Sequence, residues 1–308
     1  MDKNSASSLV SLPLITLIFS LLLSANSVAQ AKGLPAYVGE ASKFEAQQNF
    51  GQALLVYDRA CKQNPNDLNA LWNRVRLTAS LENMNISMAD CDRLIQADPQ
   101  CRRFADLYTF RACAYKDEDQ PQKALLDLDK SIALGQHSPL LYICRAQCYL
   151  AMDKYQQALE STTELINRYK QPQSYPNEMR ARCLEALNQP EKALADWNRA
   201  VELEPHNDAC YSGRVRVLER LHKLDAAIAD YTHLINSHPK DETLLYLRAK
   251  VYFNAGKCKE ALADLNKSIS MDPVPSATVY ELRAKVYDKL GKAQEAKRDR
   301  ESASKVRI

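Results

Sequence analysis

Small residues recur along the chain in pairs twelve positions apart. The first members are Ala41, Val75, Ala112, Ala146, Ala181, Val215, Ala249 and Ala284. Their partners are Ala53, Ser87, Ala124, Ala158, Ala193, Ala227, Ala261 and Ala296. Successive partners are 34, 37, 34, 35, 34, 34 and 35 residues apart. Aromatic groups flank six of the first members: Tyr37, Tyr108, Tyr142, Tyr211 and Tyr280 stand four before, and Phe44, Tyr115, Tyr149, Tyr252 and Tyr287 three after. Offsets of three and four share one helix face. Two helices that cross closely need small side chains where they touch. The pattern therefore predicts a row of helical hairpins, one per period.

Laid side by side, the periods predict eight repeats over 34–308: about 34–67, 68–101, 105–138, 139–172, 174–207, 208–241, 242–275 and 277–308. Pro65, Pro99, Pro205, Pro239 and Pro273 close five of them, since proline ends one helix and is tolerated at the start of the next. Three extra residues fall near Cys101, and a longer turn is expected there. The final repeat carries Lys297, Arg298, Arg300 and Ser304 where earlier repeats have apolar or small groups, as a terminal capping helix requires.

A second periodic feature is charged. Arg74, Arg111, Arg145, Arg180, Arg214, Arg248 and Arg283 each precede the small residue of a first helix by one position. Six of these have an aspartate sixteen residues later: Asp90, Asp127, Asp196, Asp230, Asp264 and Asp299. Such co-occurrence predicts structural pairs linking the two helices of a repeat, or neighbouring repeats. In the fourth repeat Ser161 replaces the aspartate, and Glu160 is the candidate substitute.

These residues resemble the tetratricopeptide repeat, most clearly in YLRAKVYFNAGKCKEALADLNKSISMDP (246–273) and YELRAKVYDKLGKAQEAKRDRESA (280–303). The second repeat departs from the pattern at Val75, Thr78 and Ser87. The resemblance implies an all-α solenoid, a right-handed superhelix of antiparallel helix pairs whose first helices line a concave groove. By that analogy the position after the small residue points inward. It reads Ser42, Arg76, Cys113, Gln147, Arg182, Arg216, Lys250 and Lys285. Trp72, Tyr175, Tyr246 and Phe253 are nearby inward candidates, and arginine beside aromatics is the composition of interface hot spots. One reading is a groove for an acidic or C-terminal peptide segment of a partner protein. The other is a solvated basic face neutralised by Glu185, Glu219 and Asp288, three residues further along each helix.

Composition narrows the function classes. The chain has 308 residues, with 41 lysines and arginines against 38 aspartates and glutamates, a formal net charge of +3. That balance argues against a nucleic-acid or membrane-surface partner. Residues 1–31 read as a secretory signal, an apolar run from Leu9 to Leu23 followed by small residues, with cleavage after Ala29 or Ala31. The run is short for a membrane span, so an uncleaved N-terminal anchor is the alternative. Export places the mature protein in the periplasm or outside the cell. Nine cysteines follow no CxxC or zinc-ligand spacing, and most are expected to be buried free thiols. His233 and His238 are five apart and share no helix face. No catalytic motif, metal site or cofactor site is read from the chain. The function expected is therefore a non-enzymatic protein-interaction scaffold outside the cytoplasm. A structural or self-associating repeat protein without a peptide ligand is the alternative.

Overall fold

A computed structural model describes residues 35–79, 87–104, 106–169, 173–272 and 274–306; the leader and both cleavage positions lie outside these described residues. Sixteen α-helices and no strand occur among the described residues. They form eight successive helix pairs, an all-α solenoid architecture. The first four are α1 (Ala36–Ala46) with α2 (Phe50–Gln63), α3 (Leu68–Ala79) with α4 (Met88–Ala97), α5 (Leu107–Asp117) with α6 (Pro121–Ala133), and α7 (Pro139–Ala151) with α8 (Tyr155–Arg168). The other four are α9 (Ser174–Ala186) with α10 (Pro190–Leu203), α11 (Asp208–Arg220) with α12 (Leu224–Ser237), α13 (Glu242–Asn254) with α14 (Cys258–Met271), and α15 (Ala277–Lys289) with α16 (Ala293–Val306).

The chain divides into two compact bodies, Met1–Pro176 and Asn177–Ile308, each considered by itself. In the N-terminal body α3 touches α5 and α5 touches α7; in the C-terminal body α13 touches α15. First helices of successive hairpins thus crowd together on one side of each body, which is its inner face.

Every alanine of the twelve-residue pairs is 0–1% exposed. These residues let the paired helices approach, and bulky groups such as Tyr57, Leu128, Trp197 and Leu265 fill the space around the crossing. Each hairpin turn described is closed in the same way. The residue seven past the first small residue adopts a left-handed conformation: Gln48 (φ 57°), Asp119 (58°), Asp153 (56°), Asn188 (59°), His222 (53°), Gly256 and Gly291 (both 74°). The next amide then reaches back five residues, as in Asn49 to Phe44, Lys223 to Leu218 and Lys292 to Tyr287. This is a Schellman closure, which satisfies helix-end carbonyls.

The joint between the second and third hairpins accommodates the extra residues as a tight loop. The Asp98 carboxylate accepts from the Arg103 amide at 2.7 Å. Phe104 is thereby tucked against Trp72, with ring centroids 5.6 Å apart, and Phe110 packs on the same indole at 5.7 Å.

All nine cysteines are free thiols, eight of them buried and Cys258 intermediate. Burial pushes the thiols of Cys91 and Cys210 up to about 12 and those of Cys101 and Cys183 to about 11. They stay protonated at neutral pH and act as small apolar groups.

Trp197 shows how closely the packing is matched across hairpins. Its indole is fully buried, and a Cβ on Gly213 of the following hairpin would lie 2.3 Å from the ring. Gly213 sits inside α11, where glycine otherwise weakens a helix, so its place there is set by the tryptophan. Gly213→Ala is expected to lower unfolding stability by about 1–3 kcal/mol through overpacking. The same change in a Trp197→Leu background, which has the residue found at the matching Leu128 and Leu265, is expected to cost almost nothing. Denaturant unfolding of the four proteins checks this; equal costs in both backgrounds would refute the packing account.

Candidate functional site

The arginines lie between hairpins and are engaged on several sides. In α3, Arg74 donates from Nε and Nη2 to Asp90 Oδ2 at 2.8 and 2.5 Å. Arg111 binds Asp127 at 2.7 and 2.7 Å, Arg180 binds Asp196 at 2.7 and 2.6 Å, and Arg214 binds Asp230 at 2.8 and 2.6 Å. Arg248 binds Asp264 at 2.8 and 2.8 Å, and Arg283 binds Asp299 at 2.7 and 2.7 Å. These five use both carboxylate oxygens, and all six aspartates are only 4–7% exposed.

Another N–H group turns to the second helix of the preceding hairpin. Nη1 reaches Asp58 from Arg74 (3.0 Å), Asp92 from Arg111 (2.7 Å), Asn198 from Arg214 (3.1 Å), Thr232 from Arg248 (2.8 Å) and Asn266 from Arg283 (2.9 Å). Tyrosines flank the guanidinium: Tyr108 and Tyr115 lie 5.7 Å from Arg111, and Tyr280 and Tyr287 lie 5.8 Å from Arg283. One side chain thus joins three helices. Bidentate binding to its aspartate, ahead of opposing burial, raises the pKa of Arg111, Arg180, Arg214, Arg248 and Arg283.

Arg145 differs. Ser161 bonds to its own helix at Gln157 O, and Glu160 accepts from Gln156 and does not replace the missing aspartate. Arg145 instead lies 3.6 Å from Asp129 of the preceding hairpin, with its buried Nε lacking a hydrogen-bond partner.

The inward row divides into engaged and open members. Arg76 is bound to both oxygens of Glu45 at 2.9 Å and is 14% exposed, so it is closed into the first two hairpins and is not an open contact. Trp72 belongs to the Phe104–Phe110 cluster. Tyr175, in the N-terminal body, accepts from Gln147 Nε2 at 2.8 Å. Arg182 is paired with the buried Glu178 one turn earlier.

Arg216 and Lys250 are 57% and 50% exposed. They face Glu185 at 3.5 Å and Glu219 at 3.8 Å. Lys285 is exposed, and no ion pair to it is found among the described residues. Tyr246 and Phe253 are partly buried in the packing of α13 to α15.

The neutralising carboxylates are not the ones expected from position along the same helix. Glu45–Arg76, Glu185–Arg216 and Glu219–Lys250 each span 31 residues, so each acid sits one hairpin before its base. Asp288 pairs with Arg300 in its own hairpin. The acids also cap a large side chain twelve residues on: Glu45 accepts from Tyr57 (2.8 Å), Glu185 from Trp197 Nε1 (2.7 Å) and Glu219 from Tyr231 (2.8 Å). Such rungs show in the sequence only once neighbouring first helices are known to lie side by side.

His233 and His238 are brought together on Asp208, with Nε2 atoms 3.2 and 2.8 Å from its two oxygens, because the α12 C-terminus folds back on the start of α11. The Tyr211 ring stacks on His233 with centroids 3.8 Å apart. Among the described residues no group of three or more His, Cys, Asp or Glu is arranged to hold a metal. No described helix is long and apolar enough to cross a membrane.

Residues 212–278 match one tetratricopeptide repeat family model and residues 145–171 match another, so the chain carries tetratricopeptide repeats. No curated protein matches the chain. Among solved structures, it is similar to YrrB, described as a TPR protein with an unusual peptide-binding site, at 21% identity and a TM-score of 0.53, covering 59% of this chain and 92% of that one. A tetratricopeptide repeat protein from Parabacteroides merdae matches at 18% identity and a TM-score of 0.52, over 78% of this chain and 93% of that one. The C-terminal part of a TPR repeat-containing protein from Cytophaga hutchinsonii matches at 19% identity and a TM-score of 0.57, over 64% of this chain and 78% of that one. These likenesses are of fold.

Removing one partner of a low-exposure bidentate pair leaves the other uncompensated. Asp264→Asn is expected to cost about 2–3 kcal/mol, less than for a fully buried pair because Arg248 keeps some solvent contact. A denaturant titration reads this; a shift no larger than that of a surface aspartate would contradict the role.

Proposed function

We propose that the chain is a non-enzymatic interaction scaffold that works outside the cytoplasm and takes an acidic peptide segment of a partner protein along the inner face of its C-terminal body. The observation carrying this reading is the contrast between two sets of cations. The six paired arginines are held by nearly buried aspartates at 2.5–2.8 Å, and five of them turn a further N–H to the preceding hairpin. Arg216, Lys250 and Lys285 stand one residue past the small position in α11, α13 and α15, mostly or half exposed, with long ion pairs or, among the described residues, none.

Exposed ion pairs at such lengths contribute little, about 0–1 kcal/mol, so an incoming carboxylate displaces them readily. Tyr246 and Phe253 lie on α13 among these cations and supply apolar contact beside the charge. An extracytoplasmic site of action rests on the leader read in residues 1–31.

The test uses a fluorescein-labelled, C-terminally amidated octaglutamate peptide, read by fluorescence anisotropy at low salt. Binding is expected, weakening as salt rises. Arg216→Ala with Lys250→Ala is expected to weaken it about fivefold or more, since each exposed contact is worth about 0.2–1 kcal/mol. Absence of binding by the native chain, or no effect of the double substitution, would sink the reading. Export is checked by intact mass of the protein recovered from its own cell envelope, which should begin at Gln30 or Lys32; a chain retaining Met1 would contradict cleavage.

A further inference from the structure

Six of the seven periodic arginines close on an aspartate of their own hairpin, and Arg145 does not. In those six, Nε and Nη2 point together at a carboxylate 2.5–2.8 Å away. In the fourth hairpin the matching residue is Ser161 of α8, which is 1% exposed, and its hydroxyl is spent on Gln157 O at 2.8 Å. Serine is shorter than aspartate by a carbon and an oxygen and carries no charge. The Nε of Arg145 is buried and has no hydrogen-bond partner.

Among the described residues no acid takes the aspartate's place. Glu160 accepts from Gln156. Glu164 accepts from Arg168 at 2.9 Å and from Tyr142 at 3.1 Å. Asp129, in the preceding hairpin, is 59% exposed and 3.6 Å from Nη2, a length at which an ion pair contributes little. Tyr149 lies 5.7 Å from the Arg145 guanidinium, as Tyr115 does from that of Arg111, so the ring cover of the other rungs is kept. The Arg145 side chain is 25% exposed, which leaves an approach from solvent.

We propose that the Arg145 fork, beside Ser161, binds one small monovalent anion of chloride size in place of the aspartate. Charge selects the occupant. A largely desolvated guanidinium requires a negative charge, and the six other rungs supply one covalently. A water could accept from Nε but would leave the charge uncompensated. Size selects as well, because what serine omits is smaller than a sulfate or phosphate. A single spherical anion can accept from Nε and Nη2 together, as the carboxylate does elsewhere. The site lies in the N-terminal body and stands whether or not the C-terminal body binds octaglutamate.

Thermal unfolding of the chain, with sodium gluconate replaced by sodium chloride at fixed ionic strength, tests this. The native chain is expected to melt about 2–4 °C higher in chloride, as a ligand that binds only the folded state requires. Ser161→Asp supplies the carboxylate; it should melt above the native chain in gluconate and lose most of the chloride response. Arg145→Gln should lose the response without the gain. Excess line width of chloride in ³⁵Cl NMR should be larger with the native chain than with Arg145→Gln, a readout that does not depend on how Ser161→Asp folds. Equal chloride responses and equal line widths for the native chain and Arg145→Gln would assign the fork to water and overturn the proposal.

Discussion

A guanidinium held between three helices is the interaction on which the stack depends. Alanine contacts let the two helices of a hairpin approach, but small side chains cannot register one hairpin on the next. The arginine does so: two N–H groups bind the aspartate of its own hairpin, and in five of the rungs a third reaches the second helix of the hairpin before. Flanking tyrosines cover the planar faces of the ion. A buried carboxylate without such a partner would be costly, so rung and packing require one another. Lysine in the same place, with a point charge and no planar fork, could not make the paired bonds.

Tying up those arginines decides what the inner face can offer. Cations that the sequence presents in equal measure fall into two populations with opposite roles. The position just before each small residue turns between hairpins and, in the six paired arginines, is occupied internally. The position just after it stays on the crowded side of the first helices, where Arg216 and Lys250 make long contacts to the preceding hairpin and no ion pair to Lys285 is found among the described residues. The acids on that side also accept hydrogen bonds from Tyr57, Trp197 and Tyr231, so they cannot be moved without disturbing the core beneath them.

Much of this was legible in advance because the chain repeats. Eight aligned copies turn a spacing of twelve or sixteen residues into a contact between helices, which is why the small-residue crossings and the arginine–aspartate positions could be read from the sequence. Contacts between hairpins were less visible. Glu185 to Arg216 spans 31 residues and looks accidental until first helices are seen to lie side by side. Arg76 and Trp72 looked like open groove residues, but Glu45 and the loop carrying Phe104 close over them, and that loop exists only because of an irregular insertion. The left-handed turn residues were hidden for another reason. Five of the seven described are not glycine, so backbone conformation there is imposed by the Schellman hydrogen bonds and not announced by residue type. His233 and His238 share no helix face, yet converge because the end of α12 meets the start of α11.

The account's central claim is that the aspartate-paired arginines hold hairpins together and do not serve a ligand. Amide hydrogen exchange of Arg214→Lys, followed by mass spectrometry, tests it most directly. Charge is preserved and the bidentate fork is lost. Faster exchange confined to α10, α11 and α12, the three helices that Arg214 joins through Asn198 and Asp230, is the predicted result. Unchanged protection in those helices would contradict it.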